Sequence, residues 1–361
     1  MTLRDQLVRS ALPLNAIRLA LACVVIWAHS SPISGICCEP TVPFHPTITM
    51  GSAAVGGFFA LSGLLVTMSA MRLSGEGFLL ARARRIVPGY LFVLVATTLV
   101  LAPIIFVQMN GSLEGFALTG EKGALTYLLQ HLFFGFFLQQ NVNDIFYPGA
   151  WLNISLWTIV TEIRFYLVAL ILVQIGRRYG TTKVVGLALA TTAALIAAQA
   201  ANPDLVATVL PEYLPSFRIV PLFPFLCGAF LGTIAHRMRI DHGVGVIALL
   251  VLGIATVSPG VIFETVGYGA LAIVIPYIAS LLPTRPLRWF ANDLSYGTYL
   301  WGVPVQQTLA FVGLNAYGLG PFIALSIACT LPFAMVSWFL VERRFLSAAA
   351  RQRLQDAQGG S

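Results

Sequence analysis

Charged side chains are scarce in this sequence of 361 residues. Lysine, arginine, aspartate and glutamate together make up 10% of it, whereas hydrophobic residues make up 58%. This balance excludes an ordinary soluble protein. The sequence also has no heptad pattern, no repeat with a period of roughly 20–50 residues and no nucleic-acid-binding signature. We therefore expect a membrane protein with lipid around it and no nucleic-acid partner, although the net charge is +7.

Cysteine is also sparse, and the five cysteines have no metal-ligand spacing, so we expect no metal site. Cys23, Cys227 and Cys329 fall within apolar segments, where cysteine packs as a small hydrophobic residue. Cys37 and Cys38 are adjacent in a predicted loop, where a redox-active pair is one alternative and an inert pair is the other.

Apolar segments of near-membrane length fill most of the chain, which predicts an all-α polytopic membrane protein. Ten spans are predicted, near residues 12–30, 51–71, 86–108, 154–175, 183–200, 217–235, 243–258, 262–282, 294–313 and 320–341. Between the second and third spans, residues 73–85 form an amphipathic stretch that predicts a short connector on the cytoplasmic surface. An eleventh apolar stretch, 124–140, raises the question of whether it crosses as well.

The distribution of basic residues answers that question. With Arg4 and Arg9 in the cytoplasm, ten crossings place nearly every loop arginine in the cytoplasm and only Lys122 outside. We therefore predict that 110–153 is one external excursion, in which 124–140 is a re-entrant or interfacial segment. Both termini are then cytoplasmic.

Two ionisable residues, Arg18 and His29, lie inside the predicted first span. They are eleven residues apart, about three helical turns, so they share a face with an axial offset of roughly 16 Å. Ionisable groups at this depth are costly and usually face the protein interior or a water-filled cavity. In the fourth span, Glu162 and Arg164 are two residues apart and cannot pair well with each other. Glu162 is therefore a candidate to orient Arg18 or His29, and a structural bridge between helices is the alternative.

The string RARR ends with Arg85. Arg82 and Arg85 are three residues apart and share a helical face, and guanidinium groups bind phosphates through paired hydrogen bonds. The alternative is an anchor for lipid headgroups. In the second span, Gly56, Ala60 and Gly63 form a stripe of small residues that predicts close helix packing.

Several motifs occur in an order that resembles the acyltransferase-3 family of membrane acyltransferases, over about residues 14–346. They are Arg18-x10-His29, FFALSGLLV, FLLARARRIVPGYL, SLWTIVTEIRFY, LSYGTYLW and FLVERRF. The resemblance implies one membrane domain over 1–346, followed by a polar cytoplasmic tail at 347–361. The hallmark pairs of the family are matched by Arg18 and His29, the candidate catalytic residues, and by Arg82 and Arg85, the candidate acyl-CoA-binding residues. From its place in the fourth span, Glu162 is a further catalytic candidate. The supporting candidates are Glu342, Tyr296, Trp157 and Arg164. The sequence departs from the family at Gly302, where many members have histidine.

The resemblance also implies an activity. Members move an acyl group, usually acetyl from acetyl-CoA, to a hydroxyl of a carbohydrate or lipid-linked sugar in the bacterial cell envelope. We expect such an enzyme in the cytoplasmic membrane, with acetyl-CoA as co-substrate and no bound cofactor. His29 would be a general base, or alternatively a transient acyl carrier. A substrate-coupled transporter and a non-catalytic polysaccharide-export partner remain the alternatives.

Overall fold

The computed structural model describes residues 2–36, 38–132, 141–146, 151–202 and 219–346. The predicted tail at 347–361, Cys37 and the second half of the predicted re-entrant segment lie outside these ranges. Within them the chain is helical, with no β-strand and one isolated bridge between Thr41 and Thr49. The all-α prediction is confirmed.

Besides two 3₁₀-helices at Arg285–Ala291 and Leu314–Tyr317, twelve α-helices occur in the described residues. They are α1 (Leu3–Arg9), α2 (Ala11–Ile33), α3 (Met50–Arg72), α4 (Gly75–Asn110), α5 (Ala124–Leu132), α6 (Leu156–Tyr179), α7 (Thr181–Ala201), α8 (Ile219–Ile234), α9 (His242–Thr256), α10 (Gly260–Leu281), α11 (Ser295–Phe311) and α12 (Leu319–Phe345). Three of them contain a π-helical turn, at Thr97–Leu101 in α4, Phe263–Gly267 in α10 and Ser337–Glu342 in α12.

Seven helices in the described part of the chain are long and apolar enough to span a membrane: α2, α3, α4, α6, α7, α10 and α12. This confirms a polytopic membrane protein. The other three predicted spans correspond to α8, α9 and α11, which have 16, 15 and 17 residues. Within the described residues these three helices are shorter than the roughly 20 residues that a straight crossing needs, so the number ten stays a prediction.

The helix α4 begins earlier than the sequence predicted. It starts at Gly75, so residues 75–85 of the predicted surface connector are helical and continue directly into the third span. Arginine is a good helix former, and Pro88 removes only one backbone donor without ending the helix. The helix stops at Gly111, whose φ of 80° is left-handed. Arg82 and Arg85 therefore lie on the first turns of a long membrane helix.

The contacts of the chain divide it into two compact units, and each contains parts of several helices. The first consists of Met1–Val25, Pro40–Leu80 and Thr161–Ala291, and the second of Ile26–Glu39, Ala81–Val160 and Asn292–Ser361.

In the first unit, the predicted stripe of small residues packs closely, as expected. A Cβ on Gly63 of α3 would lie 1.9 Å from the carbonyl oxygen of Phe225, and one on Gly228 of α8 would lie 1.9 Å from that of Ala60. Likewise, a Cβ on Gly56 would come within 2.2 Å of the Tyr268 ring. Glycine at these positions lets the helix backbones touch.

In the second unit, α11 packs against α12, where Gly297 lies against the backbone of Ala334. The side chain of Asn153 donates a hydrogen bond to the carbonyl of Leu300, 2.9 Å away, which fixes α11 to the chain just before α6. The helix α5 is tied to α4 by the Tyr90 hydroxyl, which donates to the carbonyl of His131. These contacts fix the helices that carry most of the candidate site.

Candidate functional site

Arg18 and His29 lie on one helix, as predicted. The helix α2 is unbroken from Ala11 to Ile33, so the eleven-residue spacing corresponds to about three turns. Near its end, the buried Gln306 of α11 donates hydrogen bonds to the carbonyl of Ile26 and the hydroxyl of Ser30, both 2.8 Å away. These bonds hold the turn of α2 that carries His29.

The imidazole of His29 is paired with a carboxylate that belongs to none of the sequence motifs. Its Nδ1 lies 2.7 Å from Oε1 of Glu39, and the two side chains are 19% and 24% exposed. A carboxylate accepts hydrogen bonds, so Nδ1 carries the proton and donates it. In the neutral ring, the lone pair is then on Nε2.

The loop after α2 brings Glu39 back to His29. The chain reverses at Gly35, whose φ is 81°, and the amide of Ile36 donates to the carbonyl of Ser31. Cys38, the residue before Glu39, is disulfide-bonded. Glu39 is the one acidic residue between α2 and α3 in the sequence. This was the only sequence feature that could have pointed to Glu39, because the path of a loop cannot be read from sequence.

Three other histidines have hydrogen bonds in the described residues, and none of these bonds is to a carboxylate. Nδ1 of the exposed His242 lies 3.2 Å from the Tyr277 hydroxyl. Nδ1 of the buried His45 accepts from the amides of Thr47 and Ile48. Nδ1 of His131 lies 2.9 Å from the carbonyl of Tyr127, and burial lowers the pKa of His131 to about 4. His29 differs from all three in having a carboxylate partner.

Glu162, the predicted orienting carboxylate, accepts hydrogen bonds from two hydroxyls in the first unit. Ser62 of α3 donates to Oε1 from 3.1 Å, and Tyr166, one turn along α6, donates to the same oxygen from 2.5 Å. Through its hydrogen bond with Ser62, Glu162 thus links α6 to α3. Arg164, on the same helix, is partly buried, as is Trp157 in the first turn of α6.

Arg85 lies between two carboxylates in the second unit. Its Nη2 donates to Oδ2 of Asp293 from 2.5 Å, and its Nη1 is 3.5 Å from Oε2 of Glu342. Glu342 is only 2% exposed and also accepts a hydrogen bond from the Ser337 hydroxyl. One positive charge therefore faces two acidic groups, and the guanidinium joins α4 to the start of α11 and the end of α12.

Two aromatic rings flank the same guanidinium. Its central carbon lies 5.8 Å from the Tyr296 ring centroid and 5.6 Å from that of Trp338, distances at which a cation is attracted by the ring faces. The Tyr296 hydroxyl donates to the carbonyl of Ile86. A Cβ on Gly89 would lie 2.8 Å from the Tyr296 ring and 3.1 Å from Glu342. Glycine at 89 is thus needed for this cluster to close on α4.

The two other arginines of RARR differ in exposure. Arg82 is partly buried, whereas Arg84 is exposed. Gly302, the position at which the sequence departs from the acyltransferase-3 pattern, lies against α2, since a Cβ there would be 2.9 Å from Ile26. A histidine at 302 would have to displace that side chain. Among the residues that the structure describes, no three potential metal ligands are grouped.

Comparisons with known proteins agree on one family. The sequence profile of the acyltransferase domain family matches residues 13–341. The chain is 26% identical over 341 residues to an O-acetyl transferase of Shigella phage Sf6, covering 92% of this chain and 95% of the relative. It is 27% identical over 360 residues to nodulation protein 10 of Rhizobium leguminosarum bv. viciae, covering 91% of each. No solved structure matches significantly.

Proposed function

Because this chain belongs to the acyltransferase domain family and is a multi-pass membrane protein, we propose that it transfers an acetyl group from acetyl-CoA to a sugar hydroxyl. The acceptor is a carbohydrate of the bacterial envelope or exopolysaccharide, free or lipid-linked. The name of the phage relative, O-acetyl transferase, supports acetyl as the group and oxygen as the accepting atom. The protein lies in the cytoplasmic membrane, with both termini in the cytoplasm.

The observation that carries this proposal is the position of His29. An alcohol is a weak nucleophile until a base takes its proton, and imidazole serves this purpose near neutral pH. His29 lies near the end of a membrane helix, partly exposed, with Nδ1 occupied by Glu39. Its Nε2 is therefore the atom that takes the acceptor proton.

Arg18 lies on the cytoplasmic side of His29 on the same helix, in the proposed orientation. Its offset of roughly 16 Å places it along the route by which the pantetheine arm brings the thioester to His29. A guanidinium there stabilises negative charge that develops on the thioester oxygen or on the departing sulfur.

The cytoplasmic seat for acetyl-CoA is the RARR end of α4, and its arginines have different tasks. A phosphate that approaches Arg85 also meets Asp293 and Glu342, whose negative charges repel it. Arg82 and Arg85 together attract the CoA phosphates in this proposal, and Arg85 also fixes the start of α4. Tyr296, Trp157 and Arg164 remain supporting residues in this proposal.

The chemistry has two versions that differ in kinetics. In direct transfer, acetyl-CoA and the acceptor are bound together, and both must be present before CoA is released. If His29 itself carries the acetyl group, CoA is released without acceptor, the kinetics are ping-pong, and an acetyl-enzyme can be trapped. In either version the pairing of Nδ1 with Glu39 leaves the Nε2 lone pair available, as the base or as the atom that is acetylated.

Free CoA release is the test of the activity. The full chain in detergent, given acetyl-CoA and envelope glycan, should release CoA and form an acetyl ester on the glycan. A transporter or an export partner would release none. Mass spectrometry of envelope glycans from cells with and without the protein identifies the sugar and the hydroxyl. Identical acetylation in both would contradict the proposal.

A further inference from the structure

We propose that Glu39 is a positioning residue for acyl transfer, which holds the His29 imidazole in the tautomer that exposes Nε2. This inference rests on the function proposed above. Nothing in the sequence pattern selected Glu39, which lies in the loop after α2 rather than in a membrane helix. Its carboxylate, 2.7 Å from Nδ1, is in the second unit together with His29.

The tautomer matters because the two ring nitrogens have opposite tasks. Glu39 accepts the Nδ1 proton, so the free lone pair of the neutral ring is on Nε2. A ring with its proton on Nε2 could not act as a base through that atom. A fixed hydrogen bond also sets the plane of the ring, which rotates freely without one.

The carboxylate also stabilises the charge that forms during the reaction. Nε2 takes the proton of the acceptor hydroxyl as its oxygen attacks the thioester carbon. The carbon–sulfur bond then breaks and its electron pair leaves with sulfur, as the new carbon–oxygen bond becomes the ester. Nε2 gives its proton to the CoA thiolate, which restores the neutral ring. While His29 is an imidazolium, the negative charge of Glu39 beside Nδ1 lowers its energy.

The effect of removing Glu39 on stability and on the rate separates a structural role from a positioning role. Both side chains are partly exposed, and exposed ion pairs add little to stability. The end of α2 is held independently by Gln306. Removal of Glu39 should therefore leave the fold nearly unchanged, while a positioning role would slow the chemical step.

The test compares kcat and KM of full-length variants with acetyl-CoA and glycan. Glu39→Ala should lower kcat about 10²–10³-fold, within the range for loss of acid–base function, with the KM for acetyl-CoA unchanged. Glu39→Gln keeps an acceptor oxygen and loses the charge, so its kcat should fall less. The kcat of Glu39→Asp, which keeps the carboxylate, should lie between those of Glu39→Ala and the wild type. Glu114→Gln, which alters an exposed carboxylate, is the matched control and should match the wild type.

Nitrogen NMR of histidine-labelled protein reads the tautomer directly and does not depend on turnover. The His29 signals, identified by their loss in His29→Ala, should show a protonated Nδ1 and an unprotonated Nε2 in the wild type. A ring protonated on Nε2 would overturn the role of Glu39. The role of Glu39 would also be overturned if Glu39→Ala had a kcat within twofold of the wild type while His29→Ala was inactive. That outcome would leave the proposed function intact. An active His29→Ala would instead contradict the proposed function.

Discussion

Arg85 is held by Asp293, a residue 208 positions later in the chain, through a hydrogen bond of 2.5 Å between Nη2 and Oδ2. The same guanidinium reaches the buried Glu342. The last arginine of RARR thus closes a junction of three helices, and this determines which variants can test acetyl-CoA binding.

Arg85→Ala is expected to destabilise the protein. It leaves two largely buried carboxylates without their cation, and loss of one partner of a buried ion pair costs about 3–5 kcal/mol. Thermal unfolding in detergent should show a lower midpoint. Adding Asp293→Asn to Arg85→Ala removes one of the stranded charges and should recover part of the loss. An unchanged midpoint for Arg85→Ala would show that the junction does not depend on this arginine.

Arg82→Gln is expected to weaken acetyl-CoA use without unfolding the protein. Loss of a hydrogen bond to a charged group costs about 1.5–3 kcal/mol, which corresponds to a rise in KM of roughly ten- to a hundredfold. Arg84→Gln is the matched control, since it removes the same charge from an exposed position of the same turn. Equal KM values for the two variants would mean that Arg82 provides only general positive charge.

The crossing of α3 and α8 predicts a large cost for one methyl group. Gly63→Ala or Gly228→Ala places a Cβ 1.9 Å from a backbone oxygen, so the helices must separate, at a cost of about 1–3 kcal/mol or more. Gly253→Ala is the control, because a Cβ there meets nothing within 4 Å and favours the helix by up to about 1 kcal/mol. The unfolding midpoint should therefore fall for Gly63→Ala and Gly228→Ala and rise for Gly253→Ala. A shift of all three in the same direction would contradict the close packing.

The orientation is tested by reporter fusions. A fusion near residue 145 should place an alkaline phosphatase reporter outside the cytoplasm, where it is active. A fusion after Tyr179, at the end of α6, should leave it inactive. The reason is the excess of basic residues in the proposed cytoplasmic loops. An inactive reporter near residue 145 would contradict the ten-span topology.

The helices could be read from the sequence because a membrane span needs only length and uniform apolarity. The spacing of Arg18 and His29 followed in the same way, since it depends on a single helix. The start of α4 at Gly75 was missed because the arginines of RARR were read as a boundary, although arginine is compatible with helix.

The partners of the charged residues could not be read in this way. Glu39 reaches His29 through a turn at Gly35, and Asp293 reaches Arg85 from a distant part of the chain. Such pairings depend on loop paths and helix packing rather than on local pattern. Glu162 was expected to orient an ionisable residue of the first span, and the hydrogen bonds described for it come from Ser62 and Tyr166. Its role in orienting the imidazole stays a prediction.

The most direct test of the central claim is the rate of acetyl transfer by His29→Ala, measured as acetyl ester formed on envelope glycan from labelled acetyl-CoA. Loss of the general base should lower kcat about 10²–10⁴-fold, while labelled acetyl-CoA still binds as in the wild type. His131→Ala, which removes a histidine with a backbone partner, shows the effect of removing an imidazole elsewhere and should retain far more activity. Transfer by His29→Ala at the wild-type rate would contradict the account, because His29 would then be structural.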